Sequence, residues 1–138
     1  MLVVFLLACI SLFCYNREGE GVEPKPVVWI GSSYEDLCAL SEEAQDDLGY
    51  ALYQSQIGEV SRKAKPMHGA LRDVVEIVAD EAAGTYRLMY TVKLGDMVYV
   101  LHAFQKKSRH GIATPKSELD LIERRLRIAR MKYENRNH

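Results

Sequence analysis

The sequence predicts an α+β fold in which helices pack on one face of a small antiparallel sheet. Three observations support this prediction. A β-branched and aromatic run precedes two helical stretches, three further strand-like runs follow them, and a last helical stretch comes near the C-terminus. The predicted order is β-α-α-β-β-β-α, and the 138 residues have room for one domain with one core.

The first predicted strand and the first two helices lie in the N-terminal half. The run VVWI at residues 27–30 follows a proline and has the composition of a strand. Ser32 and Glu35 have the spacing of a helix capping box. Ser41 opens a longer helix, with apolar residues at steps of three and four and acidic residues early, where the helix dipole favours them. Gly58 is the predicted end of this helix.

Three further strands and a last helix follow a basic loop at residues 62–69. The predicted strands are Asp73–Ala79, Thr85–Lys93 and Met97–Phe104. The last two flank Gly95-Asp96, a pair that suits a two-residue hairpin turn. Thr114 has the character of an N-cap and Pro115 that of a first helical residue, so we expect the last helix to begin there.

The hairpin register predicts which side chains share a sheet face. If Leu94 pairs with Met97 across the turn, Arg87 lies opposite Phe104, because paired residues share a face. The apolar face, which would pack the helices, then comprises Tyr86, Leu88, Tyr90, Val92, Tyr99, Leu101 and Ala103. The other face comprises Arg87, Met89, Thr91, Lys93, Val98, Val100, His102 and Phe104, and continues to Lys106. This second surface combines cations with aromatic rings, a combination that can hold a phosphate backbone and stack a base.

The charge of the chain is unevenly distributed. Net charge is −1, so composition alone excludes no class of partner. Residues 25–61 carry one Lys against seven acidic residues, whereas residues 62–138 carry sixteen Lys or Arg against nine acidic residues. This division favours an anionic partner for the second half. A solvated basic surface is the competing interpretation.

The cysteines and the N-terminal residues bear on cellular location. Cys9, Cys14 and Cys38 fit no zinc or disulfide spacing, which indicates a reducing compartment, and we expect a cytoplasmic protein without a membrane partner. Residues 2–14 form an apolar run shorter than the roughly 20 residues of a membrane span. A signal sequence, a membrane-surface anchor and an upstream start codon are the three interpretations. We favour the third, so residues 1–24 form an extension and residues 25–138 the domain.

No familiar nucleophile, phosphate-loop or metal signature occurs in the chain. Cations instead concentrate near one strand end, at Arg87, Lys106, Lys107 and Arg109. The predicted helix start at Thr114 adds backbone donors that favour an anion. RNA supplies its own nucleophile, the 2′-hydroxyl, so cations that stabilise charge on phosphorus suffice without a metal or another cofactor. The same cluster is equally compatible with RNA binding alone.

Four segments carry a family resemblance. They are TYRLMYTV (85–92), VYVLHAFQKKSRHGIATP (98–115), AKPMHGALRDVVEIV (64–78) and GYALYQSQIG (49–58). Together they resemble the HigB-like, often phage-derived branch of the RelE/ParE toxin superfamily, over roughly Pro26 to Arg130. The resemblance implies a RelE-like fold and a toxin that cleaves mRNA, commonly on the translating ribosome. It also implies neutralisation by a helix-turn-helix antitoxin.

The resemblance also implies roles for individual residues. Arg87 would contact the scissile phosphate, Lys106 and Lys107 would hold the RNA backbone and stabilise the transition state, and Phe104 would line the site. Lys65, His68, Arg109 and Thr114 are further candidates for RNA contact, although Thr114 is better explained as a helix cap. A structural ion pair between Glu76 and Arg87 is the competing interpretation for Arg87. Tyr90 and His102 are the nearest candidates for a general acid, and the predicted register places them on opposite faces.

Two other functions stay open at this point. The absence of an obvious general base favours a non-catalytic module of the same fold that binds RNA or a protein. A gyrase-inhibiting toxin of the ParE type is the third hypothesis, and it ranks last because such toxins usually do not carry the FxKK…TP segment.

Overall fold

The computed structural model describes residues 22–106 and 114–137. The strands are β1 (Val27–Trp29), β2 (Ala64–Pro66), β3 (Val75–Glu81), β4 (Gly84–Thr91) and β5 (Val98–Lys106). The helices are α1 (Ser33–Cys38), α2 (Glu42–Gln56) and α3 (Lys116–Arg136), and a short 3-10 helix spans Gly69–Leu71. Within these residues the strands form one sheet in the order β1-β5-β4-β3-β2. The predicted α+β class is confirmed.

Two features of the sheet differ from the predicted one. The first strand pairs with β5 in parallel, whereas all other neighbouring strands are antiparallel. The basic loop also contains β2, a three-residue strand in which Lys65 pairs with Glu76 of β3. Strand β2 is too short to show the alternating pattern on which a sequence prediction depends. The composition of β1 predicts a strand but not the direction in which that strand pairs.

The helix boundaries follow local chemistry. Ser41 caps α2 as predicted, since its hydroxyl accepts a hydrogen bond from the Ala44 N–H at 3.2 Å. Ser32 precedes α1 as expected, but its hydroxyl donates to the Asp36 carboxylate at 2.9 Å and makes no side-chain bond to the helix backbone. The predicted start of α3 was wrong by one residue. Pro115 occupies the N-cap position in extended conformation, so the helix begins at Lys116 and Thr114 does not cap it.

A β-bulge in β5 changes the predicted faces. Arg87 pairs with Phe104 as predicted, but the register shifts after Met89, so Leu101 has no partner on β4. In the part of β5 that precedes the bulge, each side chain therefore lies on the face opposite to the predicted one. Val98 and Val100 face α1 and α2, whereas Tyr99 and Leu101, predicted to lie there, face the opposite side. The hairpin connection is also longer than two residues, because the last pair is Thr91 with Tyr99.

The sheet is covered by helices on both faces, so the prediction that helices cover one face was wrong in this respect. On the first face, here called the closed face, α1 and α2 bury Leu48 and Leu52 against Ile77 and Leu88, all four without exposure. On the second face, α3 packs against the apolar part of the sheet. Its contacting residues are Ile122, Leu126 and Ala129, which lie against Met89, Tyr99 and Leu101.

The bulge explains this placement of α3, because it gives the second face an apolar area wide enough for one helix. Arg130 of α3 also bonds to Asp73 at 3.0 Å, and Arg125 donates to the Leu101 carbonyl at 2.9 Å. Neither α3 nor any other helix of residues 22–106 and 114–137 has the length and apolar character needed to cross a membrane.

Candidate nucleic-acid interface

The second face carries charged residues beyond the area covered by α3. We call this area the charged half-face and define it by Lys65, Glu76, Arg87, Phe104 and Lys106. Strand pairing puts these residues on one surface, since Arg87 lies opposite Phe104, and Lys65 lies opposite Glu76. The structure therefore brings together four of the predicted site residues, which are Lys65, Arg87, Phe104 and Lys106.

Arg87 forms an ion pair with Glu76 on the neighbouring strand. The side chains are only 17% and 11% exposed, and burial lowers the pKa of the Arg87 guanidinium. The predicted ion pair between Glu76 and Arg87 is thus confirmed, and it involves Nη1 of the guanidinium. The Arg87 Nε–H is buried, and no acceptor for it is found within the described part of the chain. An acceptor from a ligand would satisfy this donor.

Lys106 adds a second cation to the charged half-face. The residue is 7% exposed, and its pKa is lowered by burial and then by the positive charge of Arg87. Two poorly solvated cations therefore lie near each other, and Glu76 is paired with only one of them. Such an arrangement costs free energy in the protein alone and becomes favourable when an anion binds.

Phe104 rests on His102, and the two rings stack with centroids 4.9 Å apart and an angle of 18°. His102 Nε2 hydrogen-bonds the Glu118 carboxylate of α3. His102 Nδ1 lies 3.6 Å from an Asp36 carboxylate oxygen of α1 and 3.4 Å from the Arg125 guanidinium. The His102 ring therefore packs against the Phe104 ring, and its two nitrogens contact side chains of α1 and α3.

The partners of His102 were not predicted from the sequence. Glu118, Asp36 and Arg125 lie far apart in sequence, and Arg125 also donates to Ser32 Oγ at 2.8 Å. The signal available was the position of Glu118 in the first turn of the last helix, but nothing local indicates that this turn meets β5.

The two candidate general acids do not reach the charged half-face together. Tyr90 is buried on the closed face, where burial raises its pKa. His102 is buried on the second face between Phe104 and its carboxylate partners. The prediction that they lie on opposite faces is confirmed. The structure thus offers cations for an anion, but in the described ranges it shows no accessible base beside them.

The remaining predicted residues are dispersed. Lys107 and Arg109 lie outside the described residues. Thr114 is half-buried and precedes the Pro115 cap, so its predicted role at the helix start is wrong. His68 is exposed and immediately precedes the 3-10 helix.

A groove that the sequence did not indicate runs between the 3-10 helix and the first turns of α3. Its volume is about 360 Å³. Its floor is apolar and consists of Met67, Leu71 and Leu119, and its remaining lining residues are His68, Ala70, Lys116, Asp120 and Glu123. The floor residues pack in the same cluster as Phe104, so the groove adjoins the charged half-face.

Comparison with known proteins identifies the family. Residues 35–127 match the model of the family described as phage derived protein Gp49-like (DUF891), which covers more than half of the chain. The chain belongs to this Gp49-like family. The expected relation to a phage-derived family is thus confirmed, whereas the HigB-like branch stays a prediction. No curated protein matches the chain.

Among solved structures, the chain is similar to the toxin–antitoxin complex RelBE2 from Mycobacterium tuberculosis. The match has 23% sequence identity and a TM-score of 0.40, and it covers 60% of this chain and 99% of that chain.

Proposed function

We propose that this protein is the toxin of a toxin–antitoxin pair and that it cleaves mRNA, on the ribosome, without a metal ion. The observation that carries the proposal is the pair of poorly solvated cations, Arg87 and Lys106, which have a single carboxylate partner among residues 22–106 and 114–137. The sequence resemblance to HigB-like toxins supplies the reaction class and the expected helix-turn-helix antitoxin. Residues 25–138 form the active domain in this proposal, and the protein acts in the cytoplasm.

The chemistry uses groups that the RNA and the charged half-face provide. The RNA 2′-hydroxyl gives its proton to water, attacks the adjacent phosphorus and forms a 2′,3′-cyclic phosphate. The bond from phosphorus to the 5′-oxygen of the next nucleotide breaks, and that oxygen takes a proton from water, so no proton is gained or lost overall. Arg87 and Lys106 stabilise the negative charge that develops on the phosphoryl oxygens. Lys107, which follows Lys106 in the FxKK segment, holds the RNA backbone. Phe104, supported by His102, provides an aromatic surface for a base next to the scissile phosphate.

The test is induction of the full-length chain in a bacterial host without its antitoxin. We expect growth arrest together with new RNA 5′-ends inside coding regions, detected by primer extension. Arg87→Ala, Lys106→Ala and Lys107→Ala should each abolish or strongly reduce both effects. Lys132→Ala removes an exposed lysine on α3 and serves as the matched control, which should behave like wild type. Intact transcripts and normal growth after wild-type induction would contradict the proposal.

A second candidate function is RNA binding without cleavage. It is favoured by the lack of an accessible base beside Arg87 in the described ranges, since Glu76 is ion-paired and His102 is buried. In this case purified protein binds RNA with a steep dependence on salt, and ribosome-bound mRNA stays intact. Gyrase-dependent DNA damage after induction would instead support the gyrase-inhibiting alternative.

A further inference from the structure

The groove between the 3-10 helix and α3 has an apolar floor and a polar rim. Met67, Leu71 and Leu119 form the floor. The rim presents both kinds of hydrogen-bonding group, with Lys116 and His68 as donors and the carboxylates of Asp120 and Glu123 as acceptors. Its volume of about 360 Å³ is large enough for a planar ring system of nucleobase size.

The rim groups are available for a ligand. None of Lys116, Asp120 and Glu123 forms an ion pair with another residue of the described ranges, whose bridges involve other side chains. Asp120 and Glu123 are three residues apart on α3, so their side chains project from the same side of the helix. Two neighbouring acceptors therefore point to one area of the groove.

The groove and the charged half-face border the same apolar cluster, which contains Leu71 and Phe104. Lys65 pairs with Glu76, the partner of Arg87, and the chain then passes through Pro66 to Met67 and His68. The Met67 N–H donates to the Val74 carbonyl at 2.9 Å, which holds this segment beside the start of β3. A nucleic acid with its phosphate at Arg87 would thus have an adjacent base within reach of the groove.

We propose that this groove binds a nucleobase of the RNA substrate and selects guanine. The inference rests on the proposed function, because it assigns the specificity of the same site. The Watson–Crick edge of guanine has two neighbouring donors, N1–H and the N2 amino group, which a carboxylate accepts together, and one acceptor, O6, which Lys116 or His68 can bond. Uracil offers one donor between two carbonyl oxygens, which the carboxylates repel. The apolar floor contacts the face of the ring.

The experiment maps RNA 5′-ends across all transcripts after induction of the full-length chain. Wild type should show guanine enriched at one fixed position beside the cleavage sites, by at least about fivefold over uracil, as expected for one good bidentate contact. The double variant Asp120→Asn/Glu123→Gln keeps the side-chain shapes but removes both charges. It should still cleave, with guanine enrichment reduced to within about twofold.

The control is Glu134→Gln, which removes an exposed carboxylate near the other end of the same helix and should retain the guanine preference. Cleavage without base preference in wild type, or an unchanged preference in the double variant, would overturn the inference and leave the proposed function standing. If the protein binds RNA without cleaving it, fluorescence anisotropy measures its affinity for short RNAs that differ in one central base. Wild type should then bind the guanine RNA at least about fivefold more tightly than the uracil RNA, and the double variant should bind the two within about twofold of each other. Neither cleavage nor RNA binding would overturn both proposals.

Discussion

The two faces of the sheet are built from the same strands but differ in what they contribute. On β4, Leu88 points into the closed face and has no exposure, whereas its neighbour Arg87 points into the second face and pairs with Glu76. The closed face is apolar across β3, β4 and β5 and is covered by two helices. The second face is apolar under α3 and carries the charged half-face beyond that helix. The closed face therefore buries apolar side chains along these three strands, whereas the second face combines an apolar cluster with poorly solvated charges.

Each face also carries two neighbouring side chains of like charge, and the repulsion between them is reduced in a different way on each face. On the closed-face side, Glu81 of β3 hydrogen-bonds Asp47 of α2, and this bond raises the pKa of Glu81 to about 7, so the two acids share a proton. Lys63 bonds to Asp47 at 3.1 Å and offsets part of the charge. On the second face Arg87 and Lys106 cannot share a proton near neutral pH, and in the part of the chain that the structure describes Glu76 is the carboxylate that offsets their charge. The acidic pair therefore needs no ligand to reduce its repulsion, whereas the cationic pair favours the binding of an external anion.

Leu88→Ala should cause the largest loss of stability, because it opens a cavity in the closed face. We expect the free energy of unfolding to fall by about 2–5 kcal/mol, measured by urea denaturation. Val78→Ala is the matched control on the second face, since Val78 is half-buried opposite Arg87, and it should cost about 1 kcal/mol or less. Equal losses of stability for the two variants would contradict the difference in packing between the two faces.

Glu76→Gln should affect stability and RNA binding in opposite directions. The variant leaves the mostly buried Arg87 without its ionic partner, so we expect a stability loss of about 1–3 kcal/mol in urea denaturation. RNA affinity should rise severalfold, because a phosphate no longer competes with the carboxylate. The slope of log K against log salt should steepen by about 0.7, as for one added phosphate contact on a single strand.

Asp80→Asn is the control for this change. Asp80 is an exposed carboxylate on the same strand, and it accepts a hydrogen bond from Thr85 at 2.9 Å. The substitution changes the net charge by the same amount but leaves the Arg87–Glu76 pair intact. If both variants raised RNA affinity equally, general electrostatics rather than Arg87 would explain the effect.

Some of this comparison could be predicted from the sequence. The α+β class and the Ser41 cap follow from local chemistry and alternation, and both are confirmed. The pairing of Arg87 with Phe104 is also confirmed, although the turn register from which it was predicted is wrong, because the bulge offsets the longer hairpin connection. The concentration of Arg87, Phe104 and Lys106 on one surface follows from the same register, whereas Lys65 joins them through the unpredicted strand β2. Local rules succeed here because each depends on residues close in sequence or directly across a ladder.

The remainder depends on tertiary structure. The bulge at Leu101 lies in a run of apolar residues, VYVLHAF, in which either register buries hydrophobic side chains, so the pattern cannot locate it. The side of the sheet on which α3 packs follows from that bulge. The contacts of His102 with Asp36 and Glu118 in turn depend on where α3 and α1 lie. A single inserted residue thus decides features that no local signal encodes.

The stability at alkaline pH should distinguish the faces through Tyr90 and Lys106. Burial raises the pKa of Tyr90 above 10.0 in the folded protein, so its contribution is present below pH 10 and is lost as pH rises through the folded-state pKa. The pKa of Lys106 is lowered below 10.5, so the cost of burying its charge is relieved as pH rises from the folded-state pKa towards 10.5. In urea denaturation between pH 8 and 11, Tyr90→Phe should therefore decline less than wild type and Lys106→Met should decline more. Shifts of the same sign would contradict the assignment.

Glu81→Gln should give the smallest effect, since the pair of acids is partly exposed and its interaction is screened by salt. The pKa of Glu81 is raised from 4.5 to about 7, so its contribution to stability is fully present below pH 4.5 and is lost as pH rises through about 7. The amide of the variant still donates to Asp47 but does not titrate. Wild type should therefore lose stability relative to Glu81→Gln between pH 4.5 and 7.5, and the difference should shrink in 1 M salt. Parallel pH profiles for the two proteins would show that the acids do not share a proton, and the contrast with the Arg87–Lys106 pair would then fail.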